Sequence, residues 1–577
     1  MKKTGAELLV HALEEIGVKF TFGIPGVHNT EIYDELNKSK KITPILVTHE
    51  CGGAFMADAI SRTTDSIGTL VIVPAAGMTH ALSGIGEAYL DGIPMLIISG
   101  GIRRDSGKFF QLHQIDQHKI LSGITKKSFL VEKHSDVIPT IYEAFKIAND
   151  GFPGPVFVEI PVNLQLFGGT VKSLPKFQPI VKKKELSEKK ILKAVEILRK
   201  SKSPGIFVGW GARNAKNTLI EIAEFLNAPV ATTLQGLSVF PANHPLHTGM
   251  GFGVYSVPAG EKAFQNCDAL FAIGARFSEI PTGSFGMKVP KNLIHVDIDP
   301  DIFDKNYKTV VSIEGDSLEV LQKVLIELKK GERPTHKKID IKEIIRKEKE
   351  SYRKEWEKHS KKNTVNPYLF FKELRKNISD DDIVVVDDGN HTFLTAELLP
   401  IHETKTFLTP SDFNSMGYCV PASIGAKLAH PKKNVVGIVG DGAFLMTGAE
   451  LLTATTLNLG VVIFVFYDGE LSQISQGQEI PYNRKTCSVL GKLNLEGFAI
   501  GTGASYLEMK NNEEISEILQ KAFEISKKGQ PVIVDVKIDY SKRTRFTKGV
   551  VKANLSRFPL GEKFRFIGRA LSRKITG

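Results

Sequence analysis

Two aspartates at the ends of consecutive apolar runs offer the clearest chemistry in this 577-residue sequence. Asp441 lies in Gly440-Asp441-Gly442, after Val435–Val439, and Asp468 lies in Tyr467-Asp468-Gly469, after Val461–Phe466. Short β-branched apolar runs read as buried parallel strands. Between them, Thr447–Leu457 carries the helix formers Ala449, Glu450, Leu451, Leu452 and Ala454. Strand, glycine turn, helix and strand form one crossover unit, and ligands of such sheets sit at the carboxyl ends of the strands. One crossover thus brings both carboxylates to a single edge, beside glycine backbone and a helix N-terminus. That combination suits a hard divalent cation bridging to a diphosphate, as Mg²⁺ is held by one or two carboxylates plus phosphate oxygens. Gly-Asp-Gly alone is an ordinary turn; the second carboxylate is what marks a site.

Glu50 is a third carboxylate at a junction. Ile45–Thr48 predicts a short strand ending at His49-Glu50, and Ala54–Ile60 predicts a helix. Around it, residues 6–16 form an amphipathic helix and Phe20–Gly23 a strand that runs into the turn Ile24-Pro25-Gly26. Thr69–Val73, Pro94–Ile98 and the segment Gly154–Pro161 add strands, with a helix over Ala81–Leu90. This alternation predicts an α/β fold with a doubly wound parallel sheet. It recurs over 189–330, with strands Gly205–Gly209, Ala269–Gly274 and Leu293–Ile298, and again from Ile383–Val386 onward. Polar stretches at Lys172–Glu188 and 336–362 read as linkers, the second as a solvated helix. The chain therefore divides into three such domains, 1–171, 186–335 and 363–545, and a basic tail, 546–577.

Composition limits the function classes. Apolar residues are 42% and charged residues 24%, as in globular proteins. No apolar run reaches the ~18 residues of a membrane span. Glu14 and Glu15 arrive before any apolar leader region, so no signal peptide is expected. Four scattered cysteines, without metal spacing, fit a reduced cytoplasmic location. The net charge of +11 sits almost wholly in residues 541–577, which hold eleven Lys or Arg and one acid, Glu562. A nearly neutral body argues against nucleic acid as a partner.

With Gly440-Asp441-Gly442 and, about thirty residues on, Tyr467-Asp468-Gly469-Glu470, the sequence resembles the thiamine-diphosphate (ThDP) enzymes of the acetolactate synthase and 2-oxoacid decarboxylase superfamily. The order Phe22-Gly23-Ile24-Pro25-Gly26, then Thr48-His49-Glu50, resembles that family's pyrimidine-binding domain. The resemblance implies pyrimidine-binding, middle and diphosphate-binding domains in that order. It implies Mg²⁺ held by the side chains of Asp441 and Asp468 and by the backbone carbonyl of Glu470. The cofactor residues it implies are Glu50, Asn390, His391, Met416, Gly440, Asp441, Gly442, Ala443, Asp468 and Glu470. Glu50 would be catalytic, hydrogen-bonding the aminopyrimidine so that the cofactor's thiazolium carbon is deprotonated. Met416 would hold the cofactor bent. Glu50 of one subunit would face the diphosphate site of another, making a homodimer the smallest active unit, with a homotetramer also open.

The sequence departs from the family pattern at Tyr467-Asp468, where a double Asn is common, and at His80, where Asn is usual. Residues 109–126 fall on the substrate-side loop, and His113 matches either a synthase Gln position or, functionally, a decarboxylase His. The family's middle domain binds FAD in some members, and Gly209, Gly211 and Arg276 would serve a dinucleotide or merely the turns of the sheet. Decarboxylation of a 2-oxoacid with carboligation to a second carbonyl is the expected reaction; a simple decarboxylase and a flavin-dependent oxidase are the alternatives. In the tail, Phe564, Ile567, Leu571 and Ile575 recur at helical spacing among basic residues. Such a helix either lies on an anionic membrane surface or packs over the active site or an oligomer interface.

Overall fold

Parallel strands need a long crossover between them, and the helices of those crossovers bury both faces of the sheet. This computed structural model, which describes residues 1–179, 185–332 and 340–576, contains three such sheets, each of six parallel strands. The first runs Thr43–Leu46, Phe20–Gly23, Gly68–Ile72, Met95–Gly101, Pro155–Pro161, Lys127–Leu130. The third runs Phe407–Leu408, Ile383–Val386, Val435–Gly440, Val462–Phe466, Val532–Val536, Ser505–Met509. Both have the order 2-1-3-4-6-5 within their own domain. The middle sheet runs His247–Met250, Val230–Thr232, Pro204–Val208, Ala269–Ile273, Asn292–Asp297, Val311–Glu314, which is the 3-2-1-4-5-6 order of dinucleotide-binding folds. Strand residues such as Val435, Val436, Ile438 and Val462–Phe466 are fully buried, which is why they read as unbroken apolar runs.

Seven helices position the features discussed below: α1 (Glu50–Thr63), α2 (Ile341–Glu357), α3 (Asn390–Leu398), α4 (Cys419–Ala429), α5 (Asp441–Thr447), α6 (Arg545–Arg557) and α7 (Leu560–Thr576). α1 and α4 pack against each other and join the first and third domains. Buried in that seam, Arg62 pairs with Asp58 at 2.6 Å and Asp91 at 2.9 Å, and Tyr418 donates to Asp58 at 2.6 Å.

Three expectations change. Glu50 opens its helix, since α1 begins four residues earlier than Ala54. Helix starts six residues before the expected Thr447–Leu457, as α5, and the expected stretch itself is a 3₁₀ turn at Gly448–Glu450 followed by a short helix, Leu451–Thr456. Gly448 stands at the break, where a Cβ would meet the Phe444 ring at 3.0 Å. The second linker is not a solvated helix: α2 buries Ile345, Tyr352 and Trp356, spaced to share one face. Its expected start, 336–339, and residues 180–184 of the first linker lie outside the described residues. No helix among the described residues is long and apolar enough to cross a membrane.

Candidate active site

The third sheet reverses its winding between Ile383–Val386 and Val435–Gly440, and ligands of open α/β sheets bind at such a switch point. Asp387 follows the first of these strands and Asp441 the second. A cleft of about 120 Å³ opens there, lined by Asn390, His391, Met416, Asp441, Asp468 and Glu470 among others. Gly440, Gly442 and Ala443 also line it. The cleft therefore gathers the whole diphosphate-side set expected from the sequence.

Asp441 is buried and accepts from the Gly442 amide at 2.9 Å and the Gly469 amide at 2.7 Å, tying the two strand ends together. Burial pushes its carboxyl up to about 6, with the charge of Asp468 adding to the rise. The Asp468 carboxyl is raised by burial too, and it accepts from the Ser472 hydroxyl. Two carboxylates both raised by burial inside one cleft, the charge of one raising the other, favour a cation between them. Among the described residues no third His, Cys, Asp or Glu side chain joins them, so a cation here would need backbone and ligand oxygens. The Glu470 side chain is turned away to Lys485 at 2.7 Å, which leaves its backbone as the part available. His391 is fully buried, its Nε2 has no hydrogen-bond partner, and burial drives its pKa down to about 3. An orphaned buried nitrogen beside a pair of repelling carboxylates fits an absent polar group carrying its own cation. Gly389, at φ +149°, takes a conformation that favours glycine, and a Cβ there would meet the His391 ring at 2.7 Å.

Sequence reasoning missed Asp387. Its buried carboxylate accepts from Gly417 N at 2.9 Å and Cys419 N at 2.7 Å, so it holds the turn that presents Met416 to the cleft. Burial raises it to about 7. Its place at the end of a buried strand was the available signal. Glu450 was missed as well, being read only as a helix former. It accepts from Thr48 N at 3.1 Å and His49 N at 3.0 Å, clasping the turn before Glu50 from the third domain.

Glu50 and His113 lie outside this cleft. Glu50 is buried at the start of α1, with His80 Nδ1 3.0 Å from its Oε2. Gly77 is needed beside it, since a Cβ would come within 2.9 Å of Glu50 Oε1. His80, the departure from the family pattern, is thus the direct partner of Glu50 and stacks on His49 at 4.6 Å. His113 sits at φ 65° with Nδ1 3.2 Å from His28 Nδ1, on a loop whose Phe109, Phe110 and Leu112 are exposed. His118 Nε2 lies 3.3 Å from buried Glu159.

In the middle domain, Gly211 and Arg276 line a separate cleft of about 230 Å³. The glycines there have a packing role: a Cβ on Gly209 would meet Gly274 O at 2.1 Å and one on Gly211 would meet Gly274 Cα at 2.7 Å. Arg276 is paired with Asp412 at 2.5 Å. The tail is anchored at α6, where Glu397 accepts from Phe546 N at 2.8 Å and Phe546 stacks on Phe393 at 4.1 Å. α7 packs on the helix Ser472–Tyr482 beside the cleft, with Leu560, Phe564 and Leu571 exposed; the side chains of Ile567 and Ile575 lie outside the described residues.

Comparison with known proteins agrees with this architecture. Residues 3–120 match the N-terminal TPP-binding domain of thiamine pyrophosphate enzymes, 191–324 their central domain and 387–536 their C-terminal TPP-binding domain. The chain is 32% identical over 551 residues to the acetolactate synthase large subunit of Buchnera aphidicola from Schizaphis graminum, covering 93% of this chain and 95% of that one. It is 31% identical over 550 residues to the Corynebacterium glutamicum large subunit, covering 92% and 86%, and 30% identical over 555 residues to that of Escherichia coli isozyme 3, covering 93% and 95%. The chain belongs to the thiamine pyrophosphate enzymes, in their acetolactate synthase-like group.

Proposed function

We propose that this protein decarboxylates a 2-oxoacid, pyruvate being the first to try, and joins the resulting acyl unit to a second carbonyl, using ThDP and Mg²⁺. The observation that carries the proposal is the cleft at the switch point, where Asp441 and Asp468 face the orphaned His391 Nε2 and the Met416 turn. When bound, ThDP supplies the nucleophilic carbon and the electron sink that the protein lacks. The chain's residues do the rest. Asp441, Asp468 and the Glu470 carbonyl would hold the metal, Asn390, His391 and the backbone of 440–443 would bind the diphosphate, and Met416 would support the cofactor between them. Glu50 holds a proton against the pyrimidine ring, and His80 fixes its carboxylate.

Glu50 is not among the residues lining the Asp441 cleft, which supports a homodimer in which each subunit supplies half of two sites. His113, paired with His28 on the exposed loop, is proposed as a substrate-side residue. The proposed reaction makes no use of the middle-domain cleft; visible absorbance of the purified protein would report a flavin there. Peripheral membrane contact through α7 rests on its exposed apolar side chains and basic neighbours. Liposome co-sedimentation of the full chain against one ending at residue 559 tests it, and equal partition would remove it. The proposal as a whole is tested by stripping the protein of cofactor and restoring ThDP and Mg²⁺ separately. Pyruvate turnover that requires both is expected; turnover without either would overturn it.

A further inference from the structure

The most conspicuous half-buried charge without a role lies far along α3 from the cofactor cleft, where α2 crosses the seam between the middle and third domains. A cavity of about 70 Å³ opens there, at a domain seam, where small-molecule sites are common. One side is apolar, built from Leu237, Val257, Leu398 and Ile401. The other carries Lys349 and Arg353, one turn apart on α2 and therefore on one face.

Neither cation has a carboxylate partner among the described residues. Lys349 Nζ reaches only Ala242 O and His247 Nδ1, each at 3.3 Å. If His247 Nδ1 accepts from Lys349, its proton is on Nε2, and that buried nitrogen has no partner. The nearest buried acid, Glu397, is already engaged by Tyr352 Oη at 2.5 Å, Phe546 N at 2.8 Å and Arg545 N at 3.1 Å. Glu348 is the one other acid lining the cavity. Burial, with the charge of Arg353, lowers Lys349 to about 7, as expected of an ammonium lacking a counter-charge. Lys349 is half-buried and Arg353 exposed, and a half-buried ammonium without a counter-charge is retained at a cost unless something binds it.

We propose that this cavity binds a small monocarboxylate with an apolar body, its carboxylate on Lys349 and Arg353 and its body against the Leu237–Ile401 wall. It is a site for an effector, distinct from the cofactor cleft. Its floor, Ala396–Ile401, continues the C-terminal end of α3, whose N-terminal residues Asn390 and His391 line that cleft. Glu397 in the same floor holds the first turn of α6. Occupancy is thus positioned to act on both.

The test is titration calorimetry of the full chain, loaded with ThDP and Mg²⁺, against 3-methylbutanoate and against the neutral 3-methylbutanol. Saturable binding of the acid alone is expected. Lys349→Met should weaken it by at least about tenfold, as for loss of a charged hydrogen bond, while Lys349→Arg keeps most of it. Asp441→Asn should retain binding, which separates this site from the cofactor cleft. The melting temperature of Lys349→Met should not fall, because an unpaired cation gives way to an apolar chain of similar length. Absence of saturable binding, equal binding of the alcohol, or wild-type affinity in Lys349→Met would each overturn the proposal.

Discussion

Glu450 connects the two halves of the chain that the proposed chemistry uses, and its removal should be costly in a specific way. Its buried carboxylate takes the Thr48 amide at 3.1 Å, the His49 amide at 3.0 Å and the Thr453 hydroxyl at 3.0 Å. The fit is close, for a Cβ on Gly52 would lie 2.4 Å from Glu450 Oε1. Hydrogen bonds to a charged acceptor contribute about 1.5–3 kcal/mol each, but Thr48 and His49 are exposed residues whose amides regain water when the carboxylate goes. Glu450→Ala should therefore lose about 2–3 kcal/mol, well below the sum of three such bonds. The effect on activity should be larger than on stability. Freed from its clasp, the His49-Glu50 turn can shift, and a misplacement of about 1 Å costs on the order of 10²-fold in rate. Glu450→Gln, which keeps one acceptor, should fall between. Chemical denaturation and initial-rate kinetics on pyruvate measure the two effects. A Glu450→Ala protein with wild-type kcat would refute the idea that the third domain positions Glu50.

Other consequences can be checked as directly. Glu50→Gln should still bind ThDP yet lose about 10²–10⁴-fold in kcat, and retained turnover would remove Glu50 from the mechanism. Asp441→Asn should weaken Mg²⁺-dependent ThDP binding by at least about tenfold, measured by calorimetry; unchanged affinity would remove the metal assignment. Mixing Glu50→Gln subunits with Asp441→Asn subunits should restore about a quarter of wild-type activity, because half the dimers are mixed and each mixed dimer holds one intact site. No recovery after verified subunit exchange would place both residues in one chain's site. Glu397, raised by burial to about 7 against an ordinary 4.5, binds a proton in the folded state that the unfolded chain has lost between those values. Its contribution is therefore present at low pH and lost as pH rises through 7. The melting temperature of wild type minus that of Glu397→Gln should fall from pH 5 to pH 8; a constant difference would contradict this.

Much of the frame was legible because buried parallel strands are continuous apolar runs, and Val435–Val439, Val461–Phe466 and Ile383–Val386 need no tertiary information to be seen. The carboxylates Asp441 and Asp468 could be paired for the same reason: one crossover fixes their edge. Asp387 and Glu450 were illegible because their partners, Gly417 and Thr48, lie 30 and 402 residues away. Nothing in local periodicity marks a carboxylate whose task is to hold a distant loop. Glu50 was placed at a strand end, four residues before the helix expected from Ala54, rather than in the helix's first position, since the Cys51-Gly52-Gly53 that follows it has poor helix propensity. Packing decides there: Gly52 and Gly53 are small because Glu450 and the neighbouring strand press on them. The burial of Trp356 in a segment rich in Lys and Glu failed for the opposite reason, composition masking a narrow apolar face.

The most direct test of the proposed carboligation is NMR of the products formed from labelled pyruvate by the purified protein with ThDP and Mg²⁺. Acetolactate as the main product is predicted. Acetaldehyde alone would contradict it and would make the His113–His28 pair, rather than a second substrate, the centre of the reaction.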